Sequence, residues 1–374
     1  MPACKMLDNH MCITVNAKWR PCCRFNEHVQ PWSERMSVDE YTFDDYRNSD
    51  FYKSIKAAQE TGWHEGCNGC KVAEETGNIS TRLLFDKALS GTPNQVEYIE
   101  LSLSNECNLA CRMCGPWASS TWSKLVSENE DIIRPFQKLP LASELGIDFL
   151  KLVKTIDLSK VTSIKLLGGE PFITPQTTDF LKYLDDNNII GNIELQTNTN
   201  ATFFPKKLEK YLTKFRHVAI SLSFDGVGAV GEYIRHKSKW EDTLPIIHQW
   251  KEFYRKHQYW SNSLKFASVI NAYNVHHLPE MVKFSKDVGI PLSYNIINGP
   301  NRLRLEALPP QYVNDIKERL NTEATRNVYK YLEQMTCNEN YLKELAEYTN
   351  TLDEITQTSL KNVNPLLAKY LDKL

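Results

Sequence analysis

From Val96 onward, short β-branched or apolar runs alternate with stretches whose apolar positions fall three and four residues apart. The runs 96–103 (VEYIELSL), 162–167 (TSIKLL), 192–197 (NIELQT), 216–223 (RHVAISLS), 264–271 (LKFASVIN) and 291–297 (PLSYNII) read as strands. The segments between them, 141–157, 174–187, 205–214, 239–257 and 275–288, read as helices. Six strands separated by helices imply right-handed crossovers and a parallel sheet. Such a sheet is either doubly wound or curled into a partial barrel, two strands short of a closed eight-stranded one. The tail from Leu308 reads as helical throughout, over 311–321, 324–335, 339–350 and 364–373. Residues 1–95 lack this periodicity and read as irregular, with one helix around Phe43 to Thr61 ending near Gly62. Three regions follow: 1–95, rich in cysteine, a core over 96–305, and a helical extension over 306–374.

Composition narrows the function classes. The 374 residues are 41% hydrophobic and 24% charged, and no apolar run approaches the roughly 18 to 20 residues that cross a bilayer. The 44 basic and 46 acidic residues are well mixed, which disfavours a nucleic-acid partner and makes Lys206, Lys207, Arg302 and Arg304 parts of solvated faces. The first residues, MPACKMLDNHMC, show neither an export nor an organelle signal, so a cytoplasmic location is expected.

The cysteines change the picture. Nine of ten lie within the first 114 residues, as Cys4 and Cys12, Cys22 and Cys23, Cys67 and Cys70, then Cys107, Cys111 and Cys114. In a reducing compartment such short spacings argue for metal or cluster ligation rather than disulfides. Cys337 stands alone and reads as a structural thiol. The segment 104–116, SNECNLACRMCGP, follows the first predicted strand and spaces Cys107, Cys111 and Cys114 as C-x3-C-x2-C. Three thiolates on one loop can wrap a corner of a 4Fe-4S cubane and leave one iron open, whereas a structural zinc or an electron-transfer cluster wants four ligands. A zinc knuckle with a borrowed fourth ligand is the competing reading.

At strand ends further on come LLGGEP (166–171), QTNTN (196–200), SLSFDG (221–226), EYIRH (232–236) and VINAYN (269–274). With the cysteine loop, these motifs make the chain resemble the radical S-adenosylmethionine (SAM) superfamily over about 96–300. The aromatic residue usual two positions before the third cysteine is replaced here by Arg112. The resemblance implies a partial (βα)6 TIM-like barrel. In it Cys107, Cys111 and Cys114 hold a 4Fe-4S cluster, and Gly168, Gly169, Glu170 and Pro171 bind the SAM amino group. Asn198 meets the ribose, Ser221 and Ser223 meet the ribose and carboxylate region, Arg235 meets the carboxylate, and backbone groups near Ile270 flank the adenine. It further implies one-electron cleavage of SAM to a 5′-deoxyadenosyl radical that abstracts hydrogen from substrate, with a reductant such as flavodoxin or ferredoxin.

Upstream, Cys4, Cys22 and the C-x2-C pair Cys67 and Cys70, with Cys23 able to stand in for Cys22, resemble the accessory-cluster signatures of twitch and SPASM proteins. That implies a second 4Fe-4S cluster, although these cysteines precede the core where the usual accessory domain follows it. A tetrahedral zinc site suits the same thiolates. Cys12, in the alternating run MCITV, reads as a core thiol. Accessory clusters imply a peptide or protein substrate first, with small metabolites and nucleosides open. The competing class is a cysteine-rich zinc-binding interaction module that docks a partner through 308–374.

Overall fold

The computed structural model describes residues 4–30, 34–136, 152–257, 259 and 263–373. Ten strands form among the described residues: β1 His10–Ile13, β2 Trp19–Arg20, β3 Tyr98–Ser102, β4 Ala110–Cys111, β5 Ser163–Leu167, β6 Glu194–Thr199, β7 His217–Ser223, β8 Arg235–His236, β9 Leu264–Ile270 and β10 Leu292–Ile296. Eight build one open sheet in the order β10-β9-β7-β6-β5-β3-β1-β2, and β4 with β8 makes a separate antiparallel pair. The pairings β1–β3, β3–β5, β5–β6, β7–β9 and β9–β10 are parallel, and β2 runs antiparallel to β1. The fold is α/β with a parallel central sheet, as the alternation of strand and helix patterns predicts.

The six predicted strands correspond to β3, β5, β6, β7, β9 and β10. Helices form at Pro175–Asp186, Trp240–His257 and Leu278–Val288 close to their predicted spans. The predicted helix at 205–214 shrinks to Glu209–Leu212, and the one at 141–157 lies outside the described residues up to 151. The N-terminal 95 residues are more regular than their composition suggests. His10–Ile13 extends the sheet beside β3, so short a strand that only its pairing, His10 with Tyr98 and Cys12 with Glu100, identifies it. The helix expected over Phe43 to Thr61 is two helices, Phe43–Asn48 and Asp50–Thr61, because Ser49 ends one and caps the next.

The chain divides into two compact units of interleaved segments. Unit 1 comprises Met1–Glu106, Ala142–Thr197 and Lys207–Ala219. Within it Ile164, Leu166 and Leu195 are fully buried, while the residues between them on β5 and β6, Ser163, Lys165, Glu194 and Gln196, are only half-buried. Each of these strands therefore has an apolar face and a polar face. Unit 2 comprises Cys107–Leu141, Asn198–Lys206 and Ile220–Leu374. Its core joins Trp122, Ile234 and Tyr273 to Tyr312, Leu345, Tyr348 and Leu367. The C-terminal helices thus supply much of the core of this unit rather than trailing from it.

Candidate active site

In unit 2 the loop after β3 is fixed on both sides of its cysteines. The Cys107 amide donates to Ser120 Oγ at 3.1 Å, and the Cys107 carbonyl accepts the Thr121 hydroxyl at 2.6 Å. Ser119 caps the helix Ser120–Glu128, and Trp122 Nε1 donates to the Cys111 carbonyl at 2.8 Å. That helix had a sequence signal that the reading above passed over: a Ser cap followed by Trp122 and Val126 four apart. Pairing of β4 with β8 sets Cys111 opposite Arg235. All three cysteines are half-buried and in no disulfide. Burial pushes the Cys111 thiol up to about 11, a rise eased by the Arg235 guanidinium, and the Cys114 thiol up to about 12. Asn200 Nδ2 points at Cys107 Sγ from 3.9 Å and donates to Asn108 Oδ1 at 2.8 Å.

Three soft thiol donors on one tethered loop, with a guanidinium beside them, fit an iron–sulfur cluster that brings its own cations and keeps an overall negative charge. As the chain stands, no three His, Cys, Asp or Glu side chains among the described residues converge into a ready-made metal cage.

Arg235 is 9% exposed, pairs with Asp225 at 2.9 Å and donates to the Asn200 carbonyl at 3.3 Å. Asp225 is held in turn by the Val269 amide at 3.1 Å. Ser221 and Ser223 are half-buried on β7, and Asn198 is exposed at the end of β6. Ile270 is fully buried in the core of unit 2. The motif reading missed Asp225 and Asn200 as partners of this group, because no spacing rule links an acidic residue on one loop to an arginine on the next.

In unit 1 the GGEP turn packs against 104–106. Gly168 sits at φ +133°, where a Cβ would lie 2.4 Å from the Ser104 carbonyl oxygen. Gly169 donates to that oxygen at 2.8 Å, and a Cβ there would lie 2.2 Å from the Glu106 carbonyl oxygen. The Glu170 amide donates to Glu106 at 2.7 Å, and its 1% exposed side chain accepts from the Phe172 amide. The Pro171 carbonyl accepts the Thr177 hydroxyl. The two glycines are therefore required by backbone packing alone. Gly169→Ala is expected to cost about 1–3 kcal/mol or to displace 104–106. Thermal melting and faster hydrogen exchange at the Gly169 and Glu170 amides would register it; unchanged melting and exchange would show that the contact yields freely.

The upstream cysteines also lie in unit 1. The Cys4 amide donates to Gln59 Oε1 at 2.8 Å, and the Cys67 thiol interacts with the same side chain. Cys4 lies within electrostatic range of Cys67 and Cys70, and Cys22 within that of Cys4 and Cys67. Cys23 instead hydrogen-bonds Glu100. Burial raises the Cys4, Cys22 and Cys23 thiols to about 12. Cys12 is buried, as its alternating run predicts. Sequence reading also missed a polar row: β3–β5 and β5–β6 pairing places Glu100, Lys165 and Gln196 in register, with Lys165 Nζ 3.7 Å from Glu100. Charged residues in the middle of otherwise apolar parallel strands were the available signal.

A parallel α/β domain presenting three half-buried cysteines on one strand-following loop has the layout of the iron–sulfur α/β enzymes. Residues 101–285 match the Radical SAM superfamily. A GTP 3′,8-cyclase from Campylobacter curvus is 28% identical over 150 residues, which are 40% of this chain and 41% of that protein. The radical SAM cyclopropyl synthase TigE from Paramaledivibacter caminithermalis is 29% identical over 36% of this chain and 28% of its own length. The chain thus matches about two fifths or less of these curated relatives' length. SuiB from Streptococcus suis, solved with its precursor peptide SuiA, aligns at a TM-score of 0.39 and 13% identity over 78% of this chain and 67% of SuiB. Among the described residues no helix is long and apolar enough to cross a membrane.

Proposed function

We propose that this chain is a cytoplasmic radical SAM enzyme that cleaves SAM reductively and uses the resulting radical to take hydrogen from substrate. The observation that carries the reading is the C-x3-C-x2-C loop, Cys107, Cys111 and Cys114, lying inside the span that matches the superfamily. These three thiolates would hold a 4Fe-4S cluster, which with SAM supplies reductive cleavage of the sulfonium to methionine and a 5′-deoxyadenosyl radical.

The chain's own part is to bind, orient and exclude water. Gly168 to Pro171 would offer backbone groups to the SAM amino group, and Asn198, Ser221 and Ser223 hydroxyl and amide groups to its ribose and carboxylate region. Arg235, steadied by Asp225, would present its fork toward the carboxylate. Backbone groups near Ile270, whose side chain is fully buried, would flank the adenine. The row Glu100, Lys165 and Gln196 would contact substrate from the polar face of the sheet.

Cys4, Cys22, Cys67 and Cys70 would hold a second 4Fe-4S cluster, a reading supported by the nearness of Cys22, Cys67 and Cys70 to Cys4 and by the contact of Cys4 and Cys67 with Gln59. Cys23, turned to Glu100, is the weaker choice over Cys22. On this basis a peptide or protein is the first substrate class, with flavodoxin or ferredoxin as reductant. Relatives named GTP 3′,8-cyclase favour a nucleotide as the second reading. Anaerobic reconstitution followed by iron, sulfide and zinc analysis and a dithionite assay tests the proposal. About eight irons per chain and formation of 5′-deoxyadenosine are expected. An iron-free, zinc-loaded protein without SAM cleavage would leave the interaction module standing instead.

A further inference from the structure

Beyond β10 the chain passes through a cis Gly299–Pro300 bond into the short 3-10 helix Asn301–Leu303. This is the C-terminal end of a parallel strand, the position where α/β sheets place ligands. The Leu303 carbonyl accepts the Ala272 amide at 2.9 Å, so the turn is held to the loop after β9. Arg302 on this turn is 9% exposed, yet its Nε has no hydrogen-bond partner and no carboxylate among the described residues pairs with it. What surrounds it is aromatic: the Tyr348 ring lies 4.3 Å and the Phe136 ring 5.7 Å from the guanidinium carbon. Two residues on, Arg304 is more exposed and pairs with Glu306 in the ordinary way.

An arginine carries five N–H donors and a permanent charge, and leaving even one buried donor without an acceptor carries a desolvation penalty. Cation–π contact with Tyr348 and Phe136, and a side-chain hydrogen bond to Tyr348, hold the guanidinium in place but leave its Nε donor without a partner. Tyr348 is itself committed, its hydroxyl donating to the Arg112 carbonyl at 2.7 Å, between Cys111 and Cys114. A preorganised, aromatic-walled guanidinium with an unpartnered Nε donor suits a planar oxyanion, which carboxylate or phosphate supplies.

We propose that Arg302 is an oxyanion-binding residue that receives a carboxylate or phosphate group of the substrate. That the anion belongs to a substrate rests on the proposed function, whereas anion binding by Arg302 does not depend on what the cysteines bind. The test is thermal melting of the full chain at constant ionic strength, titrated in separate arms with pyrophosphate and with glutarate, for wild type, Arg302→Met, Arg302→Lys and Arg304→Met. Wild type and Arg304→Met should gain melting temperature with one of the two anions, and the arm that acts identifies phosphate or carboxylate. Arg302→Met should melt no lower than wild type without anion, since a buried charge with an unpartnered donor has gone, and should bind the anion at least about tenfold more weakly. Arg302→Lys, which keeps the charge but not the fork, should fall between and keeps the test readable if the Met variant does not fold. An equal anion response in Arg302→Met, or none in wild type with either probe, overturns the assignment.

Discussion

Changing Cys107, Cys111 and Cys114 together to Ala is expected to remove about four irons per chain and to bring 5′-deoxyadenosine formation to background. The loss should be complete because the three side chains sit on one loop and the structure offers no replacement thiol within it; Cys337, the next cysteine along, is 223 residues beyond Cys114 in sequence (337 − 114). The fold should persist, since the loop is anchored by groups other than its thiols. The Cys107 amide and carbonyl are taken by Ser120 and Thr121, the Cys111 carbonyl by Trp122, and the Arg112 amide by the Ile234 carbonyl. The residual iron then reads out the upstream set. About four irons retained would support a second cluster at Cys4, Cys22, Cys67 and Cys70, and none retained would assign all the iron to the Cys107 loop. Retained SAM cleavage in the triple variant would overturn the role given to these cysteines.

How much of this was legible follows from the range over which each interaction acts. The six central strands announce themselves because each is a continuous β-branched or apolar run, and the C-x3-C-x2-C loop because its spacing is local. The N-terminal helices were legible in principle: Thr42 and Asp45 form a capping box, and Ser49 and Ser80 cap the helices that follow them. Strands β1 and β2 were not, since four and two residues carry no usable period and only pairing with β3 reveals them. The row Glu100, Lys165 and Gln196 needs the register of three strands, which sequence does not state. Arg235 with Asp225 needs two loops folded together. The least legible feature is Arg112. It stands where the resembled family usually has an aromatic, and the reason is 241 residues away.

Arg112 is 1% exposed. Its guanidinium lies 3.8 Å from the Tyr233 ring centre and 5.6 Å from that of Tyr273, so the aromatic surface absent at this position is supplied by neighbours. Its Nη2 donates to Asp353 at 2.6 Å and to Thr358 at 2.7 Å, and its Nε to the Tyr233 carbonyl at 3.0 Å. Asp353 also accepts the Leu360 amide at 2.7 Å, so one carboxylate balances the buried charge and joins the helix Glu339–Thr356 to the segment after it. Asp353→Ala is therefore expected to cost about 3–5 kcal/mol, because it strands a desolvated guanidinium and a backbone donor together. The melting temperature should fall by several degrees, and reconstituted iron should fall with it, since the residue set adrift lies between two of the cysteines. The double variant Arg112→Met with Asp353→Leu should recover most of the stability, because a well-packed apolar pair replaces a buried ion pair at little net cost. Iron content separates two roles for the pair. Recovery of both stability and iron would make it a structural tie whose chemistry is interchangeable. Recovery of stability without iron would make the charge beside the loop a condition for holding the cluster, and an Asp353→Ala variant as stable as wild type would show that the pair contributes to neither.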